Sequence, residues 1–341
     1  MRIPHAITLA ALFLLSHPAL AGDVIKIGVF SPAGFERGIY RWQPTADYLQ
    51  SRIPEKRFQM LPYRKLAELE QDAQRGKFDL ILTHPASFVR LEQQAGLVQL
   101  VSRAQQDRGQ IHRHAATVIF TRADNTGLDS LTDFTRTPFV STREQDYSAW
   151  QLVKLELLHR QQDPDSAFSR VDFAGSAEGV LQGVMAGDYP GGAMAARDFD
   201  RFLREGRITP QAVRILEGKE TPGFPFHYSG TLYPQWPLGA LPDTSAPLRS
   251  AVTEALLAMP AGHPAGQAGE YAGWVESARY QAVRPLLDKS LTQHVVERQL
   301  SVAHLWVQQN WHSLLMSLGI TLLVWLLLRL LGGSPPRSAR T

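Results

Sequence analysis

The sequence predicts an α/β protein of two hinged lobes with a ligand cleft, plus one C-terminal transmembrane helix. Three observations carry this reading. Strand and helix signals alternate in two tandem sets, a Pro-, Gly- and aromatic-rich segment follows them, and a leucine-rich run lies near the end. Such alternation argues for mostly parallel sheets covered by helices. In open sheets of that kind a ligand sits outside the carboxyl ends of the strands.

The first residues, "MRIPHAITLAALFLLSHPALAGD", carry one charge at Arg2, an apolar run from Ala6 to Leu15, and Ala19-Leu20-Ala21 before Gly22. This pattern marks residues 1–21 as a secretory signal with a small-x-small cleavage site. The run is too short to span a membrane itself. No cysteine occurs anywhere in the chain, so lipid attachment, disulfides and thiolate chemistry are all excluded.

The first lobe begins with "DVIKIGVF", a strand, and "GIYRWQPTADYLQSRI", which places Ile39, Trp42, Ala46 and Leu49 at helical spacing. "RFQMLPY" is a second strand, and "RKLAELEQDAQRG" is a helix stopped at Gly76. "FDLILT" then runs into a helix through Thr83-His84-Pro85-Ala86-Ser87, and "LVQLVSRA" follows as a strand. After "HAATVIFTRADN" a similar set begins: "TPFVST" as strand, "DYSAWQLVKLELLHRQQ" as helix, "SRVDFAG" as strand and "SAEGVLQGVMAGD" as helix. "RDFDRFLREGRI" adds a helix and "QAVRILEG" a strand. From Thr221 the texture turns rich in Pro, Gly and aromatics, and "APLRSAVTEALLAMP" is a helix with Leu248, Val252, Leu256 and Leu257 on one face. The predicted division puts residues 23–118 and 218–287 in lobe 1, residues 119–217 in lobe 2, and the whole exported domain at 22–300.

Residues 311–331, "WHSLLMSLGITLLVWLLLRLL", are apolar on every helical face. A helix rises about 1.5 Å per residue, so roughly 20 such residues cross a hydrocarbon core of about 30 Å. Arg329, Arg337 and Arg340 follow the run while uncharged Gln308, Gln309 and Asn310 precede it, which orients residues 332–341 to the cytoplasm. The expected location is therefore the inner membrane, single-pass, with the main domain in the periplasm. The formal net charge is +3, but four of the 35 basic residues (Arg2, Arg329, Arg337 and Arg340) lie in the end segments. The exported body thus carries 31 basic against 32 acidic residues, a net −1, which gives no footprint for nucleic acid.

Three turns stand where strands give way to helices: Thr83 to Ser87, "STREQDYS" from Ser141 to Ser148, and "GSAEG" from Gly175 to Gly179. A helix N-terminus offers unpaired N–H groups and about half a positive charge, so it attracts anions. The hydroxyls of Ser87, Ser141, Thr142, Ser148 and Ser176 could each add a donor, although Ser and Thr also cap helices in any protein. His84 and Arg143 are candidate partners of an anion's charge; alone, either residue is ordinary at such a position. Tyr147 is a core candidate that could line the cleft. His112 and His114 share one face of a strand, but no nearby Cys or acidic pair completes a metal set. No P-loop, GxGxxG or GxSxG pattern occurs, so the residues point to binding rather than to an enzyme, with no cofactor.

"RWQPTADYLQSRIP", "RGKFDLILTHPASFVRLEQQAGL" and "LYPQWPLGALP…LLAMP…YAGWVES" resemble the extracytoplasmic domain of tetrathionate-sensor histidine kinases. That domain lies within the phosphonate/phosphite/phosphate-type periplasmic solute-binding proteins, and the resemblance covers roughly residues 23–287. It implies a type II periplasmic-binding-protein fold whose lobes clamp an oxyanion. The family's first-lobe ligand loop falls on Thr83, His84 and Ser87. Its second-lobe anion loop falls on Ser141, Thr142, Arg143, Tyr147 and Ser148, and its strand-to-helix turn on Gly175 and Ser176. Phosphonate binders commonly carry a histidine in that turn, where this chain has Ala177, and Pro190 stands where the family has an acidic residue. The expected function is sensing of a small oxyanion, with a sulfur oxyanion such as tetrathionate as the candidate and a membrane histidine kinase as partner. The alternative is delivery of a phosphonate- or phosphate-like anion to an ABC permease.

The charge placement yields a first test. A reporter active only in the periplasm, fused after Thr341, is expected to stay silent. Activity there overturns the orientation.

Overall fold

The computed structural model describes residues 23–276 and 278–287, together with residues 311, 321, 325 and 327. The signal at 1–21, residues 291–310, which the sequence reads as a last exported helix running into the span, and most of the span at 311–331 fall outside the described residues. Among the described residues no helix is long and apolar enough to cross a membrane.

Along the chain the elements are β1 (Val24–Phe30), α1 (Phe35–Arg52), β2 (Arg57–Tyr63), α2 (Leu66–Gln74), β3 (Leu80–Leu82), α3 (Pro85–Ala95), β4 (Val98–Asp107) and β5 (Gln110–His112). Next come β6 (His114–Arg122), β7 (Pro138–Ser141), a π-helix (Tyr147–Gln151), α4 (Leu152–His159), β8 (Arg170–Phe173), α5 (Ala177–Ala186), β9 (Gly192–Ala195) and α6 (Ala196–Arg204). They are followed by β10 (Val213–Ile215), β11 (Gly218–Lys219), β12 (Tyr228–Pro234), β13 (Pro237–Ala240), α7 (Ala246–Leu257), α8 (Pro264–Gly269) and β14 (Gly273–Glu276). A short 3₁₀ segment, Gln281–Leu286, packs on α4.

The chain divides into two units, described residues 23–106 with 236–276 and 107–235 with 278–287. The first holds a sheet ordered β14-β4-β13-β3-β1-β2, the second a sheet ordered β11-β12-β6-β9-β7-β8 with β10 beside β6. This places 278–287, which pack on α4, and the two segments 107–118 and 218–235 in the second unit, although the sequence assigned them to the first lobe. The cause is pairing: β6 is flanked by β9 and β12, so its neighbours carry both segments with it.

Among the described residues adjacent parallel pairing is confined to β2-β1-β3 and β8-β7-β9. The expectation of mostly parallel sheets is corrected here. β13 runs antiparallel to both β3 and β4 and inserts between them, and β6 runs antiparallel to β9 and β12.

Packing in unit one follows the apolar stripe of α1. Trp42, Ala46 and Leu49 are buried, Ile39 packs beside them, and the Trp42 ring stacks on Tyr271 with centroids 6.0 Å apart. On α7, Leu248, Val252 and Leu256 are buried but Leu257 is exposed. At about 100° per residue, position 257 turns away from the stripe that 248, 252 and 256 define.

Unit two buries a carboxylate to repair an irregular strand. β12 shifts register against β6 between Ser229 and Tyr233, which leaves the Thr231 N–H without a place in the ladder. Glu156 of α4 accepts from that N–H at 2.9 Å and from the Tyr233 hydroxyl at 2.7 Å. Arg160 pairs with Glu156 at 3.0 Å and with Glu217 at 2.8 Å. Burial foremost, then the Glu156 carboxylate, push the Tyr233 phenol well above its ordinary pKa. Gly230 has φ +74° and a Cβ built there would lie 2.3 Å from Glu156 Cδ, so only glycine fits.

Removing one member of a buried ion-paired network strands its partners. Glu156→Ala is expected to cost about 3 kcal/mol in urea unfolding, with the midpoint lowered and the slope unchanged. A loss under about 1 kcal/mol would mean water satisfies Thr231 and Tyr233 instead.

Candidate functional site

In unit one the site grows from the end of β3. Leu80, Ile81 and Leu82 are buried on both faces of a central strand, and the chain then turns into α3 with Pro85 at the first helical turn, where its missing N–H costs nothing. His84 is the N-cap. Its Nδ1 accepts from the Ser87 N–H at 3.2 Å, so the capping role expected of a hydroxyl falls to the imidazole. An Nδ1 that accepts leaves Nε2 as the protonated nitrogen of the neutral ring.

Thr83 and Ser87 are fully buried. Among the described residues the oxygens Thr83 Oγ1 and Ser87 Oγ have no hydrogen-bond partner. Burying a hydroxyl unpaired costs about 1–3 kcal/mol, so two at one helix N-terminus call for an explanation.

Around this junction lies a frame of rings. The Phe30 and His84 rings meet edge-on at 5.6 Å, and Trp236 stands 6.2 Å from each. The Arg103 guanidinium carbon sits 5.4 Å from the Trp236 ring centroid, and the Arg103 N–H donates to the Trp236 carbonyl at 2.8 Å. A cavity of about 320 Å³ is lined by Phe30, Ser31, Arg37, Tyr40, Arg41, Trp42, Arg103 and Trp236, with Glu270 at its edge. Arg41 is held by the Gly269 carbonyl at 3.1 Å and by Glu270 at 3.2 Å.

Sequence reasoning missed Ser31, Arg37, Arg41, Arg103 and Trp236. Arg103 was visible as the one basic residue in "LVQLVSRA", but a lone arginine in a strand reads as solvent-facing. It is 6% exposed, because β13 brings Trp236 against it.

In unit two, β7 ends at Ser141, whose hydroxyl donates to the Ala193 carbonyl at 3.3 Å. The Thr142 hydroxyl donates to Asp146 Oδ2 at 2.6 Å. Arg143 is exposed and 3.8 Å from the same carboxylate. Tyr147 opens the π-helix and is buried; burial first, then the neighbouring Tyr280 and Tyr233, hold its phenol well above the ordinary range. Ser148 is half-buried on the same turn. Gly175, at φ +77°, donates its N–H to the Thr142 carbonyl at 2.7 Å, which brings the second predicted turn against the first. The Ser176 oxygen accepts from the Gly179 N–H at 3.1 Å, which is ordinary N-capping of α5, and Ala177 is the first residue of that helix.

His112 is spent in the fold. Its Nε2 meets Asp107 at 3.1 Å and its Nδ1 the His114 carbonyl at 3.0 Å, and among the described residues no group of three His, Cys, Asp or Glu could hold a metal. A larger cavity of about 660 Å³ lies in unit two along residues 220–227, but its charges are already matched. Glu220 pairs with His227, and Arg108 binds Asp200 at 3.4 Å and the Pro225 carbonyl at 2.8 Å.

Comparison with known proteins supports the two-unit α/β fold. The chain is 29% identical over 299 residues to the tetrathionate sensor histidine kinase TtrS of Salmonella typhimurium, across 86% of this chain and 48% of that protein. The chain therefore spans about half the length of that curated relative. Among solved structures it is similar to XAC2383 from Xanthomonas citri bound to ATP, with a TM-score of 0.61 and 18% identity over 81% of this chain and 98% of that one. It is also similar to PhnD1 from Prochlorococcus marinus in complex with methylphosphonate, with a TM-score of 0.57 and 12% identity over 80% and 99%. At such identities these two likenesses speak for the fold. Residues 27–284 match the family described as "ABC transporter, phosphonate, periplasmic substrate-binding protein", and the chain belongs to that family.

Proposed function

We propose that this chain is a membrane-tethered periplasmic binding protein that senses a small oxyanion and passes the signal to a membrane histidine kinase. The observation that carries the reading is the pair of buried, unpartnered hydroxyls of Thr83 and Ser87 at the N-terminus of α3. Two hydroxyls at the start of a helix, with its partial positive charge, suit an anion's oxygens. The relatives are binding proteins and a sensor, which accords with binding rather than catalysis.

The neighbouring cavity supports a large, weakly hydrated oxyanion over a compact phosphate. Its guanidinium groups are themselves weakly hydrated, and its walls are the faces and edges of Phe30, Tyr40, Trp42 and Trp236. A sulfur oxyanion such as tetrathionate fits that chemistry and agrees with the sensor relative. The second reading, delivery of a phosphonate- or phosphate-like anion to an ABC permease, is favoured by the family match. Ala177 in place of the histidine of phosphonate binders speaks against phosphonate itself.

A hydrogen bond to a charged group is worth about 1.5–3 kcal/mol. Ser87→Ala and Thr142→Ala are each expected to weaken oxyanion binding by about tenfold or more in calorimetry, with the fold intact by circular dichroism. Unchanged affinity in both variants would remove these residues from the site.

Sensing and transport separate on mechanics. The expected helix at 291–310 leads straight toward the span, whereas a shuttle tether is better served by a flexible linker. A Gly-Ser insertion at Gln309 is expected to abolish a tetrathionate-dependent transcriptional response while leaving tetrathionate affinity intact. A response that survives the insertion favours the passive tether and the transport reading.

A further inference from the structure

We infer that Asp146 is a built-in competitor for the anion turn of unit two: its carboxylate holds the Thr142 hydroxyl in the free protein and must release it before an oxyanion can take that donor. This rests on the proposed oxyanion function and adds to it the residue that sets a threshold for binding there.

The geometry is specific. The Thr142 Oγ1 to Asp146 Oδ2 distance of 2.6 Å lies in the range of hydroxyl-to-carboxylate bonds, shorter than a neutral hydroxyl pair. Asp146 is also the N-cap residue of the π-helix, and an aspartate there ordinarily turns its carboxylate onto the first N–H groups of the helix. Here it makes no such cap; only its backbone carbonyl serves the helix, accepting from Ala149 at 3.4 Å and Gln151 at 3.2 Å. The side chain is instead folded back onto the end of β7.

The carboxylate thus stands where a ligand oxygen would stand, and with the same charge. Exchange trades one charged acceptor on Thr142 for another, and the negative charge of the displaced carboxylate opposes entry. Arg143, 3.8 Å from the same oxygen, offsets part of that charge but is itself exposed. Asp198 of α6 adds to the opposition. Its carboxyl is raised above the usual range by burial first, against the pull of Arg201 at 3.2 Å and Arg197, and Asp146 is one of the charges that repels it. Once displaced, the Asp146 carboxylate has the vacant cap of the π-helix one residue away. Ligand binding at Thr142 and the end of the helix leading into α4 are thereby linked through one side chain.

The test uses the full chain in detergent, titrated by calorimetry with tetrathionate, thiosulfate and methylphosphonate. Asp146→Asn keeps the size and an acceptor but removes the charge. It is expected to tighten binding by about tenfold for a probe the unaltered protein binds, or to reveal binding where none was measurable. In a Thr142→Ala background the same change is expected to alter affinity less than about twofold. Equal tightening in both backgrounds would reduce Asp146 to a bulk charge effect and overturn the exchange. If Thr142→Ala weakens binding while Asp146→Asn leaves it unchanged, the competitor falls and the oxyanion function stands. If Thr142→Ala binds as well as the unaltered protein, or no variant binds any probe, the assignment of the turn and the competitor fall together.

Discussion

Unit one is held in its functional form by a strand that arrives late. β13 enters between β3 and β4 and pairs antiparallel with both, Leu238 lying opposite Leu82 on one side and Val101 on the other. Its own carbonyls reach outward at its start: Pro237 accepts from the Thr83 N–H at 3.4 Å, and Trp236 from the Arg103 N–H at 2.8 Å. The candidate ligand-binding groups of this unit are therefore indexed to one another by main-chain bonds. Trp236 cannot move without disturbing both the residue that precedes the His84 cap and the arginine beneath its ring. Sites held by strand register are set more closely than sites carried on loops, which suits a solute-binding domain that has to discriminate among ligands.

The two units bring opposite electrostatics to their candidate turns. Unit one offers ring faces, arginines and two buried hydroxyls, those of Thr83 and Ser87, that have no partner among the described residues. Unit two satisfies its hydroxyls internally, Ser141 on a carbonyl and Thr142 on a carboxylate. A protein can leave polar groups unpaired or pair them with surrogates. The first choice lowers stability in the free state; the second raises the bar for ligand.

Legibility in the sequence followed burial that depends on near neighbours. The stripe Trp42, Ala46 and Leu49 and the buried strand at 80–82 repeat a local period and were readable from it. Thr83 to Ser87 was readable as a strand-to-helix junction rich in donors, although that His84 rather than a hydroxyl would cap it needed coordinates. Arg103 was hidden because its cover, Trp236, lies far along the chain in a segment whose prolines and glycines masked β12 and β13 as strands. Leu257 looked like core because four apolar residues were counted rather than their angles. The side chains of Thr142 and Asp146 lie close in sequence, yet only geometry shows that the carboxylate turns back to the strand rather than forward to the helix.

The discontinuity of unit one also has a temporal side. The sheet of unit two is completed within one uninterrupted stretch, from His114 to Pro234, whereas that of unit one lacks its central strand until Pro237 to Ala240 has been made. Chains emerge from the amino end and domains generally fold as units, so β1, β2, β3 and β4 wait with unpaired edges while the second unit forms. Contacts of such long range also fold slowly. For an exported chain this waiting period is one of exposure, and the leucines and isoleucines of β1 and β3 become the segments most in need of a periplasmic chaperone.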